Sequence, residues 1–180
     1  MNVLSLFDGM SCGQLALERA GIEYDKYYAS ELDKYAISVT QANYPNTIQL
    51  GDVTKWKEWD IDWRSIDLIM GGSPCQGFSF AGKQLAFNDP RSKLFFVFLD
   101  ILNHVRSLNP KVKFLLENVK MKKEYLNIVT KKMGVEPVLI NSALVSAQNR
   151  ERFYWTNIDV SQINDRDISL IDVLEESTAC

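Results

Sequence analysis

The first residue of this chain placed to do chemistry is Cys75, directly behind a proline in Gly71-Gly72-Ser73-Pro74-Cys75-Gln76-Gly77-Phe78-Ser79. Its thiolate is a strong nucleophile within reach near neutral pH, so a loop cysteine of this kind is a candidate for covalent catalysis. The apolar run Ile66-Asp67-Leu68-Ile69-Met70 just before it reads as a buried strand. That strand would deliver Cys75 to its carboxyl end, where open α/β sheets gather their ligands. Glu117, in Glu117-Asn118-Val119, ends a later strand and offers a carboxyl group for sharing a proton. Arg150 and Arg152, in Gln148-Asn149-Arg150-Glu151-Arg152, bring two guanidinium groups that match carboxylates, phosphates or a carbonyl oxygen. His104 is the sole histidine and lies in a helical pattern away from the glycine loops, so it reads as a packing or surface residue.

A second constellation follows the first strand. Phe7-Asp8-Gly9-Met10-Ser11-Cys12-Gly13 is a loop whose glycines let the backbone approach a ligand and let the next helix start tightly. Glu31 ends the second strand, where an acidic residue would hold a ribose diol, and Asp52 ends the third, placed to accept from an adenine amino group. The loop lacks the Gly-x-Gly-x-x-Gly spacing of a pyrophosphate site, which disfavours a dinucleotide. S-adenosylmethionine, an adenosine without phosphates, suits it better.

Each feature alone has a plainer reading. A cysteine is commonly inert and buried, a glutamate caps a helix or pairs with a cation, and Gln148 to Arg152 would be a solvated loop. Cys12 reads as a packing residue of the cofactor loop. Joint occurrence, in one order and each beside an apolar run, overturns the plain readings.

The elements that must position these groups alternate. Strands are expected at Val3–Phe7, Tyr27–Ser30, Gln49–Leu50, Leu68–Met70 and Phe114–Glu117, with further strand material at Val138–Asn141 and Ser142–Val145. Helices are expected over Gly13–Ala20, Lys34–Tyr44, Ser92–Leu108 and Lys123–Met133. This order predicts an α/β chain with a doubly wound, mostly parallel sheet. Gln76 to Pro90 has no clean period and reads as a lid or binding loop.

At 180 residues the chain is expected to form one domain, 1–180. Its widely spaced Cys12, Cys75 and Cys180 contain no Cys-x-x-Cys, so no metal site is expected, and unpaired thiols fit a reducing compartment. No apolar run approaches the about 20 residues of a membrane helix, and no signal peptide is seen. A net charge of −3 argues against a free-standing nucleic-acid binder. Seven lysines nevertheless crowd Lys111 to Lys132, either as a solvated helix face or as a patch for non-specific DNA contact at low salt.

Taken together, Gly-Ser-Pro-Cys-Gln-Gly-Phe-Ser, Leu-Glu-Asn-Val and Gln-Asn-Arg-Glu-Arg-Phe-Tyr-Trp resemble the cytosine-5 DNA methyltransferase family, from Met1 to about Glu176. The resemblance implies a Rossmann-like, S-adenosylmethionine-dependent methyltransferase fold and a DNA (cytosine-5-)-methyltransferase activity. It implies that Phe7 packs on adenine, Glu31 binds the ribose, Asp52 binds adenine, and the backbone from Gly9 to Gly13 meets the methionine end. Asp8, Ser11, Cys12, Leu32, Val53 and Pro74 complete that cofactor set. Cys75 would add to C6 of a flipped cytosine and Glu117 would balance N3. Arg152 would contact O2, while Arg150 would help position the loop.

Family members normally continue with a target-recognition region and a closing segment, and Ile168 to Glu176 looks like the element just before that region. Three explanations stand side by side: half of a two-chain enzyme, a truncated remnant, or a domain redeployed as a non-catalytic cofactor- or protein-binding unit. On the first, DNA and a second protein chain are the partners, and apolar surface around the first strand is left for the second chain or self-association. The setting implied is cytoplasmic, bacterial or phage-like, such as restriction-modification.

Overall fold

The computed structural model describes residues 1–74, 93–161 and 163–174. In chain order the elements are β1 (Asn2–Leu6), α1 (Cys12–Arg19), β2 (Lys26–Ser30), α2 (Lys34–Asn43), β3 (Ile48–Gln49) and β4 (Ile66–Gly72). They continue with α3 (Lys93–Leu108), β5 (Lys113–Val119), α4 (Lys123–Met133), β6 (Val138–Asn141) and β7 (Glu151–Thr156). Short 3-10 turns occupy Val53–Glu58, Trp63–Ser65, Ser142–Leu144 and Leu170–Val173. The seven strands form one sheet in the order β3-β2-β1-β4-β5-β7-β6. The first five run parallel, and β7 lies antiparallel between β5 and β6.

Strand residues alternate between two apolar clusters, as the pleat requires. Leu4, Leu6, Ile69, Phe114 and Leu116 meet α3 through Phe95, Phe98, Leu102 and Val105, all buried. Burying each such side chain contributes about 1.5–3 kcal/mol, which makes this the main core. Val3, Tyr27, Ala29 and Leu68 face the other way and meet Leu17 of α1. That second face is less completely covered. An open groove of about 580 Å³ runs between Ala16 and Leu17 of α1 with its cap Ala20, Leu68 and Met70 of β4, and Leu115 of β5. The uncovered apolar surface therefore lies over β4 and β5, while Val3, Leu4 and Leu6 of β1 are fully buried.

Two expectations change. The stretch Ser142–Val145 is no strand but a 3-10 turn over Ser142–Leu144 followed by its cap Val145, because Asn141 Oδ1 accepts from both the Ala143 and Arg150 amides and ends β6 there. Glu151–Thr156 is a strand of its own, although its charged start reads as loop in sequence. His104 does pack, its ring 5.2 Å from Trp56 and 5.1 Å from Trp63. Among the described residues no helix is long and apolar enough to cross a membrane.

Candidate active site

Because β1, β2, β4 and β5 are parallel, their carboxyl ends share one edge of the sheet. Glu31 directly follows β2 there. Its Oε2 accepts from the Gly9 amide at 2.8 Å, and its Oε1 from the Leu32 and Asp33 amides at 2.7 and 2.9 Å. An ionised carboxylate has about four acceptor sites, so room remains for one further donor such as a hydroxyl. Asp52 caps the turn after β3, both bonds from Thr54 falling on Oδ1. Those bonds, the backbone one foremost, hold its pKa below the ordinary carboxylate value and keep it an acceptor.

A cleft of about 180 Å³ opens at this edge, lined by Phe7, Ser30, Glu31, Leu32, Gly51, Val53, Pro74 and Leu94. Five expected cofactor residues therefore converge: Phe7, Glu31, Leu32, Val53 and Pro74. Asp52 is not in the lining, though both its neighbours are. Asp8, Gly9, Ser11, Cys12 and Gly13 are not in it either. Cys12 and Gly13 open α1. Cys12 is exposed, against its reading as a packing residue. Gly13 serves close packing, since a Cβ there would lie 2.7 Å from the Tyr27 hydroxyl and 2.8 Å from Met70 Cε. Sequence reasoning missed Ser30, Gly51 and Leu94. Ser30 could have been suspected as the residue before Glu31; its hydroxyl donates to the Gly51 carbonyl at 2.6 Å. The aromatic Phe7 and the aliphatic Leu32 and Val53 give the cleft apolar walls and Glu31 gives it an acceptor, with no cation among the described lining residues.

Along the same edge, β5 carries Glu117, about a quarter exposed. Opposite it, antiparallel β7 supplies Arg152, whose Nε lies 3.0 Å from Glu117 Oε1, and Arg150 approaches the same oxygen at 4.0 Å. The Arg152 Nε–H is buried and meets no acceptor at hydrogen-bond geometry, so the pair is an ion contact with a donor left over. Arg152 Nη1 donates to the Glu151 carbonyl at 2.8 Å. Glu117 Oε2 closes over β4, where a Cβ on Gly72 would lie 3.1 Å from it. Directly across from Glu117 stands Tyr154, whose pKa is pushed up by burial and next by the carboxylate. Tyr154 was not singled out in sequence because its strand was not.

Asn118 does work that the motif alone does not reveal. It is 3% exposed, and its Nδ2 donates to the Ser73 hydroxyl and carbonyl at 3.1 and 3.3 Å. It thereby ties the end of β5 to the segment that enters Pro74. Cys75 itself lies outside the described residues, as do Cys180 and the segment 75–92.

With this geometry in view, residues 1–178 match the family described as C-5 cytosine-specific DNA methylase. The chain belongs to that family.

Among its relatives is the orphan methyltransferase M.Rho11sI of Bacillus phage rho11s, 38% identical over 86% of this chain and 32% of the relative. The orphan methyltransferase M.SPRI of Bacillus phage SPR is 35% identical over 94% and 40%. The type II methyltransferase M1.ScrFI of Lactococcus lactis subsp. cremoris is 34% identical over 98% and 46%. This C-5 methylase chain thus spans less than half the length of each of these relatives. Its fold is that of a Spodoptera frugiperda DNMT2 mutant, with a TM-score of 0.62 at 25% identity over 93% of this chain and 54% of that one. Schizosaccharomyces pombe Dnmt2 is similar at a TM-score of 0.60, 20% identity, and coverage of 90% and 51%. The mostly parallel sheet is therefore the Rossmann-like sheet of C-5 methyltransferases.

Proposed function

We propose that this chain is the catalytic part of a DNA (cytosine-5-)-methyltransferase that uses S-adenosylmethionine and is completed by a second polypeptide. The observation that carries the reading is the placement of two chemically different sites on one strand edge: an adenosine-suited cleft at β1–β3 and a carboxylate–guanidinium group at β5–β7. Pro74, the residue before Cys75, lines the first and is tethered near the second through Ser73 and Asn118.

In this reading Cys75 adds its thiolate to C6 of a cytosine extruded from the duplex, forming a carbon–sulfur bond. Glu117 shares its proton with N3, so the ring's electrons collect at C5. S-adenosylmethionine supplies an electrophilic methyl group. Arg152, its partly exposed guanidinium already beside Glu117, donates to the cytosine O2, and Arg150 flanks it. Once C5 carries the methyl group, loss of its proton to solvent water expels the Cys75 thiolate and restores the ring's double bond. Phe7, Leu32 and Val53 form the apolar walls of the adenosine cleft, Glu31 accepts a ribose hydroxyl, and Asp52 accepts at the purine edge. Asp8, Gly9, Ser11, Cys12 and Gly13 shape the loop beneath the methionine end.

The second polypeptide is argued from the groove over β4 and β5. Parallel sheets are ordinarily covered on both faces, and here the half-buried Met70 and Leu115 border a groove that could take a helix with an apolar stripe. The exposed Leu170, Ile171, Val173 and Leu174 offer a second apolar contact. The test incubates the chain with labelled S-adenosylmethionine and mixed-sequence DNA, with and without the product of an adjacent reading frame. Methyl transfer that requires both polypeptides is expected. Efficient, sequence-selective transfer by this chain alone contradicts the second-chain claim. Cofactor binding without transfer, with any candidate partner, favours the non-catalytic reading.

A further inference from the structure

The loop between β1 and α1 carries left-handed residues at alternate positions, Phe7 at φ 58°, Gly9 at 60° and Ser11 at 62°. Glycine adopts that region freely. Phe7 and Ser11 do not, and such residues persist only where their surroundings dictate the conformation. The dictating contacts come from side chains that do not line the cofactor cleft. The Tyr27 hydroxyl donates to Asp8 Oδ1 at 2.8 Å, and the Ser11 hydroxyl to Asp8 Oδ2 at 2.5 Å. Gln14 Nε2 donates to the Ser11 hydroxyl and to the Thr47 hydroxyl, each at 2.8 Å. Tyr24 closes the chain by donating to Gln14 Oε1 at 2.8 Å. Tyr27, Ser11, Gln14 and Thr47 are all buried.

The loop so held does two things at the cleft. It turns Phe7 into the lining, and it aims the Gly9 amide at Glu31 Oε2, at 2.8 Å. Both carboxylate oxygens of Asp8 are already engaged by internal donors, so Asp8 acts here as the hub of a brace. We propose that Tyr27 and Gln14 are positioning residues for the cofactor, acting through Asp8 and Ser11 to fix the loop that presents Phe7 and the Glu31 clamp. The inference rests on reading the cleft as the S-adenosylmethionine site and adds residues to it that touch no cofactor.

The test is calorimetric titration of the full chain with S-adenosylhomocysteine, together with steady-state kinetics on the assembled enzyme. Tyr27→Phe keeps the ring and removes one donor to the charged Asp8; Gln14→Leu removes both donors to Ser11 and Thr47. Each is expected to weaken binding about tenfold, the loss of a buried hydrogen bond to a charged or networked partner. The cofactor KM should rise with kcat at saturation unchanged. Thr47→Val, a milder cut at the far end of the brace, is expected to lose a few-fold and serves if either larger change prevents folding. Val105→Ala, in the α3 core and remote from the loop, is the control matched for loss of Tm and should leave affinity unchanged. Glu31→Ala reports on the cleft itself. Normal affinity in Tyr27→Phe and Gln14→Leu with weakened Glu31→Ala overturns the positioning role and leaves the cleft standing. Affinity losses that track Tm, Val105→Ala included, also overturn it. Unchanged binding in Glu31→Ala overturns the cleft reading, and the brace with it.

Discussion

The two halves of the sheet edge hold their carboxylates in opposite ways. On the β1–β3 side Glu31 and Asp52 are fixed by backbone amides, mostly of residues one to two positions away. On the β5–β7 side Glu117 is fixed by a cation that arrives from a distant part of the chain on an antiparallel strand. Amide cradles fix a carboxylate in one orientation, which suits recognition of a ligand hydroxyl. A guanidinium pair is an adjustable contact between two long side chains. Cations accompany both sides: Lys34, Lys55 and Lys57 lie near Asp33 and Asp52 in the chain, and Lys120, Arg150 and Arg152 pair with Glu151 and Glu117.

The largest expected effect tests whether the halves are separable. Glu117→Gln should lower kcat by roughly 10²–10⁴-fold, the range for loss of a positioned proton donor, while S-adenosylhomocysteine affinity stays near that of the parent. Comparable loss of cofactor affinity would mean the halves act as one. Glu31→Ala is the mirror experiment. It should weaken cofactor binding by about 1–3 kcal/mol, since three backbone donors lose their acceptor, and leave the catalytic step at saturating cofactor largely intact. Calorimetry and single-turnover kinetics on both variants decide the matter.

A smaller effect sharpens the charge comparison. The seven lysines from Lys111 to Lys132 look like one patch in sequence, but the fold divides them. Lys120, Lys122 and Lys123 follow the carboxyl end of β5, Lys120 pairing with Glu151 at the start of β7. Lys111 and Lys113 lie at its start, and Lys131 and Lys132 end α4, on the way to a strand that runs parallel to β5. Reversing Lys122 and Lys123 to Glu should weaken DNA binding and flatten its salt dependence by roughly one unit of slope for each phosphate no longer neutralised. The same reversal at Lys131 and Lys132 should do neither, as anisotropy across a salt series would reveal.

The smallest effect concerns the brace. Burial, and next the Asp8 carboxylate, raise the Tyr27 pKa well above its ordinary 10.0. The shift is upward, so its contribution to stability is complete below the ordinary tyrosine value and fades only as pH climbs toward the folded one. Alkaline titration of phenolate absorbance should therefore show one fewer late-ionising tyrosine in Tyr27→Phe than in the parent. An unchanged late count would place Tyr27 in a looser environment than the loop requires.

How much of this was legible in the sequence differs between the halves. Strand-end acids after short apolar runs mark Glu31 and Asp52, because parallel strands put their carboxyl ends on one edge whatever the detail of the helices. The Tyr27–Asp8 pair was invisible: the two residues are far apart in sequence, and Tyr27 sits in a run that reads simply as apolar strand. In the second half the motif residues stood out, but their frame did not. Glu151-Arg152-Phe153-Tyr154-Trp155-Thr156 opens on charges and gives no clean alternation, yet it pairs on both sides and buries Trp155 completely. Its strand character comes from partners, not from local preference. Ser142-Ala143-Leu144-Val145 shows the converse, an apolar stretch kept out of the sheet by the Asn141 side chain.

Both halves converge on one reaction only if Cys75 meets the target base. The most direct measurement uses a DNA duplex carrying 5-fluorocytosine at the methylated position, incubated with the assembled enzyme and S-adenosylmethionine. Fluorine at C5 cannot leave as the proton does, so the adduct is trapped. The account predicts a denaturation-resistant complex of chain and DNA that is absent with Cys75→Ala and formed slowly with Glu117→Gln. A trapped complex with Cys75→Ala would contradict it.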